Sequence, residues 1–338
     1  MDAVQVRQVD VGDDAVLTQA HAVWVASRSF ERPWNDAQSY GTWALERRFR
    51  DSGEDHEVWG AYDGDALVGF AMIWIPLHDN TSKIHTEIHV HPDHRRAGAG
   101  SALVQQVVDV ARARSRSEII GDLLAPADST PEHPYRRFAA KHGFEEASQD
   151  SMRSLPLPVP TERLDELAEL ARGGWAGRYE LATYLDGVPG HLQPSLCEAS
   201  NLVDAEAPTG DIDFEPESLD PERYQAELQL ERDQGTRRFT TVAVDPTTGQ
   251  VVAYTDLVIA GGSTRSVWQW GTLVRAEHRG HRLGLAVKVE NLRRLQAEHP
   301  TREFVVTGNA DANAWMVAIN ETLGFRVREI CPMYQRRV

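Results

Sequence analysis

Apolar residues along this chain alternate with polar ones, then recur at helical spacing, then alternate again, and the sequence does this twice. An alternating stretch near Val4 to Val9 predicts a short strand, and apolar spacing around Asp14 to Ser27 and Tyr40 to Arg50 predicts two helices. The segments His56–Tyr62 and Ala66–Trp74 flank Asp63-Gly64-Asp65 and predict a β-hairpin. In the second half, Arg238–Val244 and Val251–Val258 flank Asp245-Pro246-Thr247-Thr248-Gly249 and predict another. After each hairpin comes a strand, a turn rich in Arg and Gly, and an amphipathic helix. The first copy runs Ile88 to Gly100 into Ser101-Ala102-Leu103-Val104; the second runs Thr272 to Gly284 into Leu285-Ala286-Val287-Lys288. Gly-Phe follows each helix, at Gly143-Phe144 and Gly324-Phe325. The shift from Arg95 to Arg279 is 184 residues and from Gly143 to Gly324 it is 181, a register that chance would not keep.

Between the copies, Leu155-Pro156-Leu157-Pro158-Val159-Pro160 holds too many prolines for a helix or a central strand, and a new element begins at Thr161. The boundary is therefore expected near residue 160, with domains at 1–158 and 161–338. The stretch Ala171 to Asp220, rich in Gly, Pro and acidic residues, reads equally as a substrate-facing lid or a passive connection.

The Arg/Gly turn has its own chemistry. A strand that feeds directly into a helix leaves the first helical N–H groups unpartnered at the positive end of the dipole, which attracts an anion. Gly98 and Gly100 let the backbone approach that anion, and Arg95 and Arg96 add positive charge. A pyrophosphate fits this description.

With these residues in view, Arg95-x-x-Gly98-x-Gly100 resembles the acyl-CoA pyrophosphate signature of the GCN5-related N-acetyltransferases, the GNAT superfamily, and the trailing Gly-Phe resembles that family's end-of-helix mark. Taken twice, the resemblance spans nearly the whole chain as a tandem-GNAT protein. It implies an α/β protein of α+β type, with two domains that each hold a mixed, mostly antiparallel sheet flanked by helices. It implies CoA-dependent N-acyl transfer, with acetyl-CoA as co-substrate and a small primary amine attacking the thioester directly. The cofactor residues it implies are Val90, Arg95, Arg96, Ala97, Gly98, Ala99, Gly100 and Ser101 in the first copy, and Val274, Arg279, Gly280, Arg282 and Gly284 in the second. The second copy departs from the pattern, since Arg282 stands where the middle glycine belongs. That arginine would fill the pyrophosphate's space unless it swings outward. Asn313, in an Asn-rich segment with Asn309 and Asp311, would reach the pantetheine arm or cap a helix. Many family members carry an acidic tyrosine where this chain has Ala139 and Asn320, which leaves Tyr135 or Tyr334 as substitutes.

The strand before the first turn reads His85-Thr86-Glu87-Ile88-His89, and alternation puts His85, Glu87 and His89 on one face. Glu87 is the first candidate for general base, provided burial lifts its pKa, and His89 is the second. The same three side chains could converge on an ion, but no metal is expected. The second copy has Gln269 and Gly271 on the corresponding face and offers no base there.

Composition narrows the classes. With 35 Lys and Arg against 51 Asp and Glu, the net charge of −16 argues against nucleic acid or an anionic membrane as partner and permits a cationic amine. No apolar run is long enough to span a bilayer, and Met1-Asp2-Ala3-Val4-Gln5 does not open like a leader, so a cytoplasmic protein is expected, as monomer or homodimer. Cys197 and Cys331 lack metal-like spacing and read as packed residues, and Trp24, Trp43, Trp59, Trp74, Trp268 and Trp270 read as core or interdomain aromatics. Two alternatives stay open: an acetyltransferase for the cysteinyl amine of a thiol precursor, and an inactive CoA-binding pair that acts as a sensor or partner module.

Overall fold

The computed structural model of the chain describes residues 4–49, 53–206, 212–215 and 218–338; Met1–Ala3 and the expected helix end at Arg50 lie outside them. Contacts divide the chain into two compact units that do not follow chain order alone. The first gathers described residues up to Ser151, residues 212–215 and Arg328–Val338, and the second holds the remainder from Met152 to Val327.

In the first unit the order is β1 (Gln5–Gln8), α1 (Asp14–Ser29), α2 (Tyr40–Arg48), β2 (Glu54–Asp63), β3 (Ala66–Pro76), β4 (Lys83–Val90), α3 (Ala99–Ala113), β5 (Glu118–Asp122), β6 (Ala125–Pro126), α4 (Pro134–Lys141) and the start of β7 (Glu145–Pro156). The sheet runs β1-β2-β3-β4-β5 and continues into the C-terminal strand (Arg326–Arg337), which pairs antiparallel with β5 from Met333↔Asp122 to Arg337↔Glu118. The β4–β5 pair is parallel, while β1–β2, β2–β3 and β3–β4 are antiparallel. Helices cover both faces because β3 is apolar on both. Phe70 and Met72 meet Leu17, Val23 and Trp43 of α1 and α2, whereas Val68, Ala71 and Ile73 meet Leu103 and Val107 of α3. Asp13 and Ser39 cap α1 and α2 with their side chains.

The segment after α1 is tied to the C-terminal strand through a buried carboxylate. Glu329 accepts from Arg32 Nη2 at 3.1 Å and from Trp34 Nε1 at 2.8 Å, and it also pairs with Arg32 Nε. Both charged side chains are 7% exposed.

The second unit repeats the plan: α5 (Thr161–Trp175), β8 (Glu180–Leu185), α6 (Gln193–Glu206), α7 (Pro221–Asp233), β9 (Arg237–Val244), β10 (Val251–Ile259), β11 (Ser266–Val274), α8 (Leu283–Glu298), β12 (Phe304–Ala310) and α9 (Ala314–Leu323). Its strands lie in the order β8-β9-β10-β11-β12, again with one parallel pair, β11–β12. Helices α6 and α7 pack on Val242, Tyr254 and Leu273, while α8 packs on Ala243 and Val252 of the opposite face. Helix α5 has no counterpart among the described residues of the first unit and lies along α8, with Leu164, Leu167 and Ala171 among Leu285, Val289 and Leu292. The stretch read as lid or connection therefore contains β8 and α6, and the repeat begins before the hairpin, with a strand and two helices preceding it in both units. Both Gly-Phe marks close helices in left-handed glycine: φ is +72° at Gly143 and +105° at Gly324, and the following N–H returns to Ala139 O and Asn320 O.

Removing Glu329 strands the Arg32 charge in the interior, so Glu329→Ala should cost about 3–5 kcal/mol. Chemical denaturation followed by the fluorescence of the first unit's tryptophans should show a correspondingly lower midpoint, and an unchanged midpoint would refute the anchor.

Candidate active site

Strand β4 leads through a short 3-10 turn, Pro92–His94, into α3, with Arg96 at φ +67° and Gly98 at φ +98°. The first intrahelical bond runs from Ala102 N to Gly98 O at 3.0 Å, which leaves the N–H groups of Ala99, Gly100 and Ser101 without intrahelical partners. The turn is open, since a Cβ on Gly98 would meet no heavy atom within 4 Å. Gly100 is tighter, with Phe138 3.1 Å from where its Cβ would stand, so it allows α4 to pack on the helix start. Ala99 is buried, and Ser101 Oγ lies 3.0 Å from His142 Nε2. Arg95 donates from Nε to Val90 O at 3.4 Å, and its guanidinium lies 4.4 Å from the Phe30 ring centre and 5.3 Å from that of Tyr135. Tyr135 thus braces the turn's arginine.

Beside the turn the sheet comes apart. Strands β4 and β5 pair at Lys83↔Glu118, Ile84↔Ile119, His85↔Ile120 and Thr86↔Gly121, and there the pairing ends although β4 continues to Val90. On its other edge β4 stays bonded to β3 as far as Val90, and His91 N donates to Val68 O. By alternation, the N–H groups of Ile88 and Val90 point toward the missing partner. Two splayed strands with free donors on one of them form a slot for an extended, carbonyl-bearing ligand.

Alternation places Glu87 and His89 together on the α1/α2 side, opposite Met72 and Phe70 of β3. His89 is buried, donates from Nε2 to Glu87 Oε2 at 3.0 Å, and has Nδ1 3.4 Å from Ser27 Oγ. Burial lowers the His89 pKa against the pull of Glu87, so the ring is neutral at pH 7. Glu87 is the reverse of what the sequence suggested. Burial does push its pKa up, but the His89 hydrogen bond and the charges of Arg28 and Arg47 outweigh it and hold the carboxyl below its ordinary value. Glu87 is therefore a fixed carboxylate with weak basicity, its side chain 28% exposed at the slot.

His85 does not join this pair; its ring stacks on Phe214 with centroids 5.9 Å apart. Among the described residues no three His, Cys, Asp or Glu side chains are placed to hold a metal ion. Sequence reasoning missed Ser27, Arg28 and Arg47, which α1 and α2 bring over β4. It also missed Asp122, the last residue of β5, whose Oδ2 lies 3.7 Å from Cys331 Sγ. Only strand register could have found Asp122.

The second unit keeps the backbone of this arrangement and loses its openings. Strands β11 and β12 pair only at Ser266↔Phe304, Val267↔Val305 and Trp268↔Val306, and Arg279 Nε donates to Val274 O at 3.1 Å as Arg95 does to Val90. Gly280 and Arg282 take the left-handed conformations, at φ +83° and +55°. The Arg282 side chain swings outward and donates to Leu170 O of α5. Helix α5 also reaches the turn directly, for a Cβ on Gly174 would stand 2.4 Å from His281 O. Past that helix, Tyr179 Oη lies 3.0 Å from His278 Nδ1. A Cβ on Gly271 would meet Tyr254 Oη at 2.6 Å, so the position matching Glu87 has no room for a side chain. Gly284 abuts Ile319 at 3.0 Å, much as Gly100 abuts Phe138.

Asn313 caps α9, accepting from Met316 N at 3.1 Å. Asn320, at the tyrosine position, is fully buried; it accepts from Lys288 Nζ at 2.9 Å and donates to Asn309 at 3.1 Å. Burial drops the Lys288 pKa to about 7. Trp270 is 45% exposed and so is not a core residue. In the first unit Tyr334 donates to Glu146 at 3.2 Å.

Residues 21–144 match the acetyltransferase (GNAT) family. Among solved structures, the chain is similar to a tandem GNAT protein from the clavulanic acid biosynthesis pathway, at 23% identity and TM-score 0.79 over 99% of this chain and 98% of that one. It is also similar to a GCN5-related N-acetyltransferase from Sphaerobacter thermophilus, at 18% identity and TM-score 0.65 over 100% and 96%. A glucosamine N-acetyltransferase region of a fungal multi-domain β-N-acetylglucosaminidase gives 15% identity and TM-score 0.63 over 98% of this chain and 38% of that one. No curated protein matches the sequence. At these identities the structures establish the tandem GNAT fold. Among the described residues no helix is long and apolar enough to cross a membrane.

The lowered pKa of Glu87 implies a pH-dependent contribution to stability. A carboxylate held below its unfolded pKa stabilises the fold above about pH 4.3, and that contribution is lost as pH falls toward the folded pKa. Glu87→Gln should therefore be less stable than wild type at pH 7 by about 1–2 kcal/mol. In thermal unfolding the gap should narrow below about pH 5 and close only as pH nears the folded pKa, and a gap independent of pH would contradict the assignment.

Proposed function

We propose that the first unit, whose residues 21–144 match the acetyltransferase (GNAT) family, binds acetyl-CoA and transfers the acetyl group to a primary amine of a small molecule. The observation that carries this reading is the open turn at Gly98 beside a strand pair that separates after Thr86 and Gly121. The pyrophosphate would be bound by the N–H groups of Ala99, Gly100 and Ser101, with Arg95 and Arg96 at the rim. The pantetheine arm would then run along β4, where the N–H groups of Ile88 and Val90 are free to bond it and to polarise the thioester carbonyl. Direct attack by a neutral amine forms the amide and expels the CoA thiolate. Glu87, ionised and fixed by His89, faces the slot and attracts the acceptor's ammonium form. Tyr135, braced against Arg95, belongs to the cofactor side of the site.

The second unit has a supporting role in this reading. Helix α5 packs against its turn, and Gly271 stands where a catalytic carboxylate would be needed. The net charge of −16 agrees with a cationic acceptor and disfavours nucleic acid.

Calorimetric titration of acetyl-CoA into wild type, Arg95→Ala, Gly98→Trp and Arg279→Ala tests the assignment. One site per chain is expected, weakened at least 10-fold by Arg95→Ala, abolished by Gly98→Trp and unchanged in Arg279→Ala. Thiol release against a panel of primary amines should then identify an acceptor class. Binding without release for any amine would favour a CoA-sensing role, and a site lost with Arg279 would move the cofactor to the second unit.

A further inference from the structure

We infer that Asp122 is the proton relay of the transfer, taking the proton from the attacking amine and delivering it to the departing thiolate. The inference rests on the acyl-CoA reading above and concerns a group that no sequence motif marks.

Its position comes from register. Thr86↔Gly121 is the last rung between β4 and β5, so Glu87 and Asp122 are the next residue on each strand, on the same face and across the vertex of the splay. A thioester lying in the slot would have its reacting carbon between them. Asp122 is solvent-exposed at the end of β5, where an amine arriving from solvent can reach it. Desolvation, and then the charge of Glu87, push its pKa up to about 6 against the opposing pull of Arg28 and the Cys331 thiol.

The groups facing it are Glu87 from β4, Arg28 from α1 and Cys331 from the C-terminal strand, with Asp150 of β7 acting on Cys331 in turn. Cys331 is no rival for the proton, because burial and the two aspartates hold its thiol protonated. Glu87 is no rival either, since its pKa is held low. Two carboxylates with pKa values driven apart mark a fixed charge and a proton carrier.

The step balances without any further reactant. The neutral amine attacks the carbonyl carbon and the N–C bond forms; its N–H proton passes to the Asp122 carboxylate. The C–S bond then breaks, the electron pair stays on sulfur, and the Asp122 carboxylic acid returns the same proton to give free CoA thiol. One residue thus does what a base and a separate acid would otherwise share, in a unit that has Ala139 at the position of the family's tyrosine.

Two measurements test this. In thiol-release assays with acetyl-CoA and the fastest amine of the panel, kcat of wild type should fall on the acid side of a limb near pH 6. Asp122→Asn should lower kcat about 10²- to 10⁴-fold and remove that limb, with acetyl-CoA affinity within 3-fold of wild type. Independently of any acceptor, 13C-carboxyl NMR of Asp-labelled protein should show a resonance that titrates near pH 6 and is absent in Asp122→Asn. In Glu87→Gln its midpoint should shift downward. A limb retained in Asp122→Asn, or an Asp122 resonance in the ordinary aspartate range, would overturn the relay while leaving acetyl-CoA binding intact. Loss of acetyl-CoA binding by wild type would overturn the acyl-CoA reading, and the relay with it.

Discussion

The first unit depends on a parallel strand pair that is made and then broken. Four rungs hold β4 to β5, and beyond Thr86 and Gly121 each strand goes its own way. An edge with free N–H groups inside a sheet is costly unless something bonds to it. The strand stays ordered because β3 pairs its other side through Val90, and because β5 is held from behind by the C-terminal strand. The gap is thus framed by rigid elements, which suits a slot for an extended thioester better than a loop would. The chain places Glu87, His89 and Asp122 around that gap and the open Gly98 turn at its far end.

The two units repeat one fold with different side chains around the turn. Both have the splay, the left-handed turn and an arginine returned to the last carbonyl of its strand. The difference lies in what fills the space. In the second unit an extra helix, α5, brings Gly174 against the turn backbone and takes the Arg282 side chain, and Tyr254 occupies the position across from Gly271. Each contact packs the second unit more tightly around its turn and strand, which is why the proposed reading places the cofactor in the first unit. The buried Lys288, Asn320 and Asn309 network continues this trend, with a core hydrogen-bond chain at the position of the acid.

Much of this was legible in the sequence. The period-2 and helical patterns located α1, the hairpins and α3, and the repeated turn predicted the tandem fold. The stretch Ala171 to Asp220 was not legible, because its glycines, prolines and acidic residues masked the apolar spacing of Leu192, Leu196 and Ala199 that packs α6. The alternation that set Glu87 beside His89 was correct, but its consequence was inverted. Arg28 and Arg47 come from helices distant in sequence, and their charges join the His89 hydrogen bond in holding the carboxyl's pKa down. Asp122 could not be recognised at all, since its meaning lies in the rung at which two strands stop pairing.

The account turns on where the thioester lies. The most direct measurement is a crystal structure of the chain with acetyl-CoA bound. The prediction is a pyrophosphate on the N–H groups of Ala99 to Ser101, a pantetheine arm along β4 and the acetyl group between Glu87 and Asp122. A cofactor seated instead on the turn at Gly280 to Gly284 would contradict it.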